Sequence, residues 1–96
     1  MSIETQEKEV AELRARLQLS GDLYLSECKL IVESGDINAS IKLCEALTPK
    51  YVYFLKENKA MLNHQSAISL DTDWMFSRST ALALCECIIW VIERGE

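Results

Sequence analysis

The stretch 81–92, ALALCECIIWVI, is the most informative part of the chain, because Glu86 alone interrupts its apolar character. A helix that borders solvent carries one apolar and one polar stripe. A helix that is apolar almost all round lies at the centre of a bundle or beneath a partner. Spanning a bilayer takes about 20 such residues, and this stretch is shorter. We therefore expect a buried helix in a protein that does not enter a membrane.

Turn and cap signals divide the rest of the chain into further helices. Gly21 and Gly35 stand where helices end, and Thr48 followed by Pro49 is typical of a helix start. The chain has one Pro and three Gly, fewer than the turns of an all-β domain require. The sequence thus predicts an all-α protein with a single domain, 1–96, folded as a compact bundle of four to five helices that a second copy can complete. The predicted helices cover residues 3–19, 22–33, 38–47, 49–62 and 71–94.

The composition is that of a small globular protein with an acidic surface. Hydrophobic residues make up 49% of the chain, charged residues 26%, and the net charge is −5. A broad phosphate-binding face needs clustered Lys and Arg, so a nucleic acid is an unfavoured partner. Residues 1–16 are charged throughout and lack the apolar segment of a signal peptide. With four cysteines and no secretory signal, we expect reduced thiols and a cytoplasmic location.

No group of residues has the spacing of a catalytic, cofactor-binding or metal site. Cys85 and Cys87 are two positions apart, so on a helix their thiols point about 200° apart and cannot share an ion. Asp71 or Asp73 is placed to cap the last helix, and His64 is the one histidine of the chain. We therefore expect no enzyme activity, no cofactor and no metal ion.

Two classes of function remain open. The first is a non-catalytic protein–protein interaction module, such as an inhibitor, an adaptor or an assembly factor. The alternative is a helix-turn-helix DNA-binding regulator built from helices 38–47 and 49–62. The second of these helices has aromatic residues where polar base-reading side chains are needed, which favours the first class. Aromatic and Met side chains anchor protein interfaces, so the candidate partner-binding residues are Tyr51, Tyr53, Phe54, Trp74, Met75, Phe76 and Trp90.

The apolar last helix also predicts a homodimer. Four short helices can barely enclose a fifth, and a second copy would cover whatever surface they leave. The first predicted helix adds a narrow apolar seam at heptad spacing that could join such an interface. The candidate dimer-interface residues are Val10, Leu13, Leu17, Leu82, Ile89 and Ile92.

The segment 47–62, LTPKYVYFLKENKAML, resembles a segment of small helical proteins from the early regions of temperate phages. In those proteins a proline-capped helix carries spaced Leu residues and a Glu-Asn step before a coiled segment. The resemblance implies a mobile-element accessory protein that acts on a protein of its bacterial host. It transfers no functional residue to this chain.

Overall fold

Over the residues that the structure describes, the fold contains four helices and a small antiparallel sheet. The computed structural model describes residues 2–66 and 71–95. Helices α1, α2 and α3 come first, followed by strands β1, β2 and β3 and then by helix α4. Their bounds are α1 Ile3–Arg16, α2 Leu25–Ser34, α3 Ile37–Leu47, β1 Tyr51–Lys56, β2 Lys59–His64, β3 Met75–Phe76 and α4 Thr80–Glu93.

The all-α helical bundle predicted from the sequence is wrong, because segment 49–62 forms a β-hairpin. Strands β1 and β2 pair antiparallel from Tyr51 with His64 to Lys56 with Lys59, and β3 pairs with the start of β2. Strand β1, YVYFLK, is rich in aromatic and β-branched residues, which fit a pleated surface better than a helix. In the turn, Asn58 has a φ of 58°, a conformation that Asn tolerates and a helix excludes.

Thr48 ends a helix instead of starting one. Its hydroxyl donates a hydrogen bond of 2.7 Å to the Cys44 carbonyl, one turn back in α3. The Tyr51 N–H then donates to the Thr48 carbonyl, which turns the chain around Pro49 into β1. Because the second helix of the proposed helix-turn-helix is this hairpin, α3 is not followed by a recognition helix, and that arrangement is not present.

The last helix begins later than predicted. The Ser79 hydroxyl caps α4 by accepting a hydrogen bond of 3.2 Å from the Leu82 N–H. Asp71 instead accepts a hydrogen bond from the His64 N–H, and Thr72 lies against β2. The cap expected at Asp71 or Asp73 was wrong, since an acid near a helix start cannot be distinguished by pattern from one that supports a strand.

The turn signals between α2 and α3 were predicted correctly, whereas the one at Gly21 was not. The carboxylate of Asp36 accepts a hydrogen bond of 3.0 Å from the Ala39 N–H and so caps α3. Gly35 ends α2 with a φ of 63°, the left-handed conformation that suits glycine. The prediction that Gly21 ends the first helix was wrong, because α1 ends at Arg16 and Gln18 takes the left-handed conformation just after it.

Helix α4 lies at the centre of the protein. Helices α3 and α2 pack on one side of it, and all three strands pack on another. Its one polar residue within the apolar stretch, Glu86, meets Arg16 of α1 in a two-pronged ion pair of 2.7 and 2.8 Å. The chain therefore buries most of this helix by itself, because the hairpin supplies surface that a bundle of short helices lacked, and Leu82, Trp90 and Ile92 remain partly exposed.

This enclosure accounts for most of the residues that were assigned to a dimer interface. Val10, Leu13, Leu17 and Ile89 are buried in the core, while Leu82 and Ile92 are half-buried against it. The apolar character of the four buried residues is explained within one copy of the chain, whereas Leu82 and Ile92 keep part of their surface exposed. Within the described ranges 2–66 and 71–95, no helix is long and apolar enough to cross a bilayer.

Candidate functional site

The two faces of the sheet differ in what covers them. On the inner face, Ala60 and Leu62 of β2 are fully buried against α4. Side chains alternate along a strand, so the register places Tyr51, Tyr53 and Leu55 of β1 on this inner face. The opposite face receives the residues between them, and there the side chains of β1 are exposed.

That opposite face, which we call the outer sheet face, is apolar and aromatic. Phe54 stands directly across from Met61, and Phe76 across from Lys59. Val52, Phe54 and Phe76 are 42%, 44% and 71% exposed. Large exposed apolar side chains grouped on one surface mark interaction sites, whereas single ones are ordinary. The outer sheet face comprises Val52, Phe54, Met61, Trp74 and Phe76 together with Lys56 and Lys59.

Two lysines hold positions over the aromatic rings of this surface. The Nζ atoms of Lys56 and Lys59 lie 5.2 and 5.0 Å from the centroid of the Trp74 ring, within cation–π range. Lys59 also lies 5.6 Å from the Phe76 ring. In the described part of the chain neither lysine pairs with a carboxylate, unlike Arg16, Lys42 and Arg78. Their charges therefore remain available to a ligand.

Among the strands that the structure describes, β1 pairs with β2 alone and so forms one edge of the sheet. In a two-residue hairpin the closing pair, here Lys56 and Lys59, exchanges ladder hydrogen bonds, and so does every second pair from there. The Gln65 N–H donates to the Lys50 carbonyl at 2.9 Å, which continues the same phase. The backbone groups of Tyr53 and Leu55 consequently point away from β2, towards the free edge.

Two open grooves accompany this edge on the side of α3. The first, of about 380 Å³, includes Glu45, Pro49, Tyr51 and Tyr53 in its walls. The second, of about 430 Å³, is lined by Ile37, Leu55, Lys56 and Arg78 among others, and its lining contains no carboxylate. The edge is therefore open to a ligand that runs along it, and its two ends differ in charge.

The structure brings together only part of the predicted set of partner-binding residues. Phe54, Trp74 and Phe76 meet on the outer sheet face, and Tyr53 is exposed at the adjoining edge. Tyr51 is buried with its ring edge-on to His64, and Met75 packs against the core. Trp90 belongs to α4, where its ring lies 4.4 Å from the Arg94 guanidinium. Sequence reasoning missed Val52, Lys56, Met61 and Lys59, because grouping them with Phe54 requires both the strand assignment and the register of β1 with β2.

The cysteines are buried in the core and are poor nucleophiles. Burial raises the pKa of the Cys85 thiol to about 12 and that of Cys87 to about 11. Cys85 contacts the Ser40 hydroxyl on α3, whereas Cys87 donates to the Ala60 carbonyl in β2, so the two thiols face different elements. Across residues 2–66 and 71–95, no three His, Cys, Asp or Glu side chains are grouped to hold a metal ion.

Comparison with known proteins adds no relative. No protein-family model and no curated protein matches the sequence, and no solved structure matches the fold.

Proposed function

We propose that this protein is a non-catalytic interaction module that binds another protein through the outer sheet face and the adjoining edge of β1. The observation that supports this most is the exposure of Phe54 and Phe76 beside Trp74 on one continuous surface. Keeping such side chains in water forgoes the free energy of burying them, about 1.5–3 kcal/mol for a large apolar residue. A partner that covers them recovers that free energy.

The proposed role is that of an inhibitor, an adaptor or an assembly factor, acting in the cytoplasm on a protein of the host cell, as a mobile-element accessory protein does. The buried, protonated thiols and the shallow grooves support a binding function over catalysis. Aromatic side chains with nearby lysines also occur on single-stranded nucleic-acid platforms. The net charge of −5 opposes a polyanionic ligand and favours a protein.

Affinity capture from a lysate of the source cells, compared between variants, tests the proposal. The test variant is Phe54→Ser combined with Phe76→Ser, which removes two exposed rings and leaves the core intact. The matched control is Ile3→Ser, because Ile3 is 73% exposed and belongs to α1, which packs chiefly on α2. We expect wild type and control to retain a common protein that the double variant loses. Equal capture by all three, or retention of single-stranded oligonucleotides instead, contradicts the proposal.

A further inference from the structure

We propose that the partner binds as an extended segment added as a fourth strand to the free edge of β1, with an acidic residue at the end of the segment that lies near Lys56. This inference rests on the proposed function and names the binding mode and the chemistry of the partner. Strand addition of this kind draws its affinity from backbone hydrogen bonds and its specificity from alternate side chains.

The backbone of β1 is arranged for such pairing. The N–H and C=O groups of Tyr53 and Leu55 point to the free edge, and within residues 2–66 and 71–95 neither residue directs a backbone hydrogen bond to that side. Five consecutive residues, 51–55, carry no charge, so an incoming strand meets an apolar edge. Alternate side chains of that strand would extend the outer sheet face beside Val52 and Phe54 and would enter the grooves beside Tyr53 and Leu55.

The charges around the edge define the partner. The groove at the Lys56 end has no carboxylate in its lining, and its Arg78 is already paired with Glu9 of α1. Its free positive charge is therefore that of Lys56, with Lys59 across the hairpin. The groove at the other end includes Glu45, which opposes an acidic residue there. Glu57 follows Lys56 in the hairpin turn and is exposed, but it is not among the residues that line this groove. An acidic side chain of the partner near Lys56 thus meets local positive charge, although the overall charge of the protein is −5.

The same charges disfavour a second copy of this chain as the added strand. When two β1 strands pair antiparallel about a two-fold axis, the residues whose backbone groups point to the free edge must stand opposite one another. The register that pairs the whole strand sets Tyr53 against its own copy. Lys50 of each copy then stands opposite Lys56 of the other, and directly opposed like charges destabilise a sheet. Lysines on an edge strand are a known device against such self-pairing.

A defined peptide provides the direct test. The probe is a blocked peptide of alternating Val and Thr with two Glu at each end, so that either strand direction brings an acid to Lys56. The matched peptides replace the Glu residues with Lys, or carry N-methyl groups on alternate residues and so cannot form the ladder. We expect saturable binding, with amide exchange slowed at Tyr53 and Leu55 in NMR spectra. Both matched peptides should bind at least about tenfold more weakly.

Two pairs of protein variants isolate the edge and the charge. Tyr53→Pro removes an outward N–H without removing a ladder hydrogen bond of the hairpin, and Tyr53→Thr is its side-chain control. Lys56→Glu reverses the charge at the end of β1 where the acidic residue of the partner is proposed to lie. Lys50→Glu makes the same reversal at the opposite end. We expect Tyr53→Pro and Lys56→Glu to weaken peptide binding about tenfold or more, and their controls to weaken it less. Circular dichroism and urea unfolding establish that each variant is folded.

The outcomes separate this inference from the function on which it rests. If lysate capture depends on Phe54 and Phe76 but no Glu-ended peptide binds, the protein is an interaction module and strand addition is wrong. Equal binding of the Glu- and Lys-ended peptides refutes the charge assignment. A dimer that dissociates in Tyr53→Pro but not in Tyr53→Thr shows that a second copy occupies the edge, which also overturns the proposal.

Discussion

At Asn58, a hairpin and a helix predict opposite effects of substitution on the free energy of unfolding. It occupies the turn between β1 and β2 with a φ of 58°. This conformation raises the free energy of a β-branched residue by about 1–2 kcal/mol, whereas glycine adopts it without that steric cost. We predict that Asn58→Val lowers the free energy of unfolding by about 1–2 kcal/mol. We expect Asn58→Gly to change it by less than about 0.5 kcal/mol, because relief of strain is offset by the greater entropy of the unfolded chain.

The structure isolates the backbone conformation in this comparison. The Asn58 N–H donates to the Thr80 hydroxyl at 3.1 Å, and both variants keep this hydrogen bond because it involves only the backbone of residue 58. The Asn58 side chain is exposed, so neither substitution leaves a cavity in the core. Were residues 49–62 helical, Val and Asn would be nearly equivalent and Gly would be the destabilising choice.

Urea unfolding followed by circular dichroism gives the two free energies, and thermal unfolding gives an independent measure. For a domain of this size, 1 kcal/mol shifts the midpoint by about 4–8 °C. The expected order of stability is wild type close to Asn58→Gly, with Asn58→Val clearly lower. If Asn58→Gly is less stable than Asn58→Val, the hairpin is wrong and so is the outer sheet face built on it.

Three further outcomes can be measured on the same material. Thr72→Val should lower the free energy of unfolding by about 1–3 kcal/mol, because the buried Leu62 N–H loses the hydroxyl that accepts its hydrogen bond at 2.8 Å. Thr72→Ser keeps a hydroxyl and should lower it less, and an equal loss in both variants contradicts this. Burial raises the pKa of Cys85 to about 12 from 9.0, so the folded form keeps its proton longer, and the free energy of unfolding should fall as pH rises above 9.0. Cys85→Ala should make the slope of unfolding free energy against pH less steep by up to about 1.4 kcal/mol per pH unit, and an unchanged slope argues against burial of this thiol. Light scattering should give a mass near 10.9 kDa, since most of α4 is buried and pairing of β1 with itself opposes lysines; twice that mass supports the homodimer expected from the sequence.

The hairpin was missed for the same reason that it forms a candidate site. A strand with one buried face reveals itself through alternation of apolar and polar residues. In β1 the outward residues Val52 and Phe54 are as apolar as the inward Tyr53 and Leu55, so the alternation is absent from the sequence. The spacing of Val52 and Leu55 then also fits a helix. What remained were weaker signals, namely the aromatic and β-branched content and the Asn in the turn.

The central helix, by contrast, could be predicted because its signal does not depend on what surrounds it. An apolar stretch with one polar residue needs enclosure whether helices or strands provide it, and Glu86 was the exception that the sequence left unexplained. The structure supplies its partner in Arg16, seventy residues away along the chain. Ion pairs between distant residues, and grooves such as the one between β1 and α3, form only when the chain folds. No local sequence pattern indicates them.

The position of α4 along the chain has a consequence for biosynthesis. All six elements that precede it leave the ribosome first, and five of them, α2, α3 and the three strands, pack on this helix. Until α4 emerges, the inward side chains of α3 and β2, among them Leu43 and Leu62, have no core to enter and remain open to chaperones or to neighbouring nascent chains. Production of this protein should therefore respond to translation speed and chaperone supply more strongly than its small size suggests.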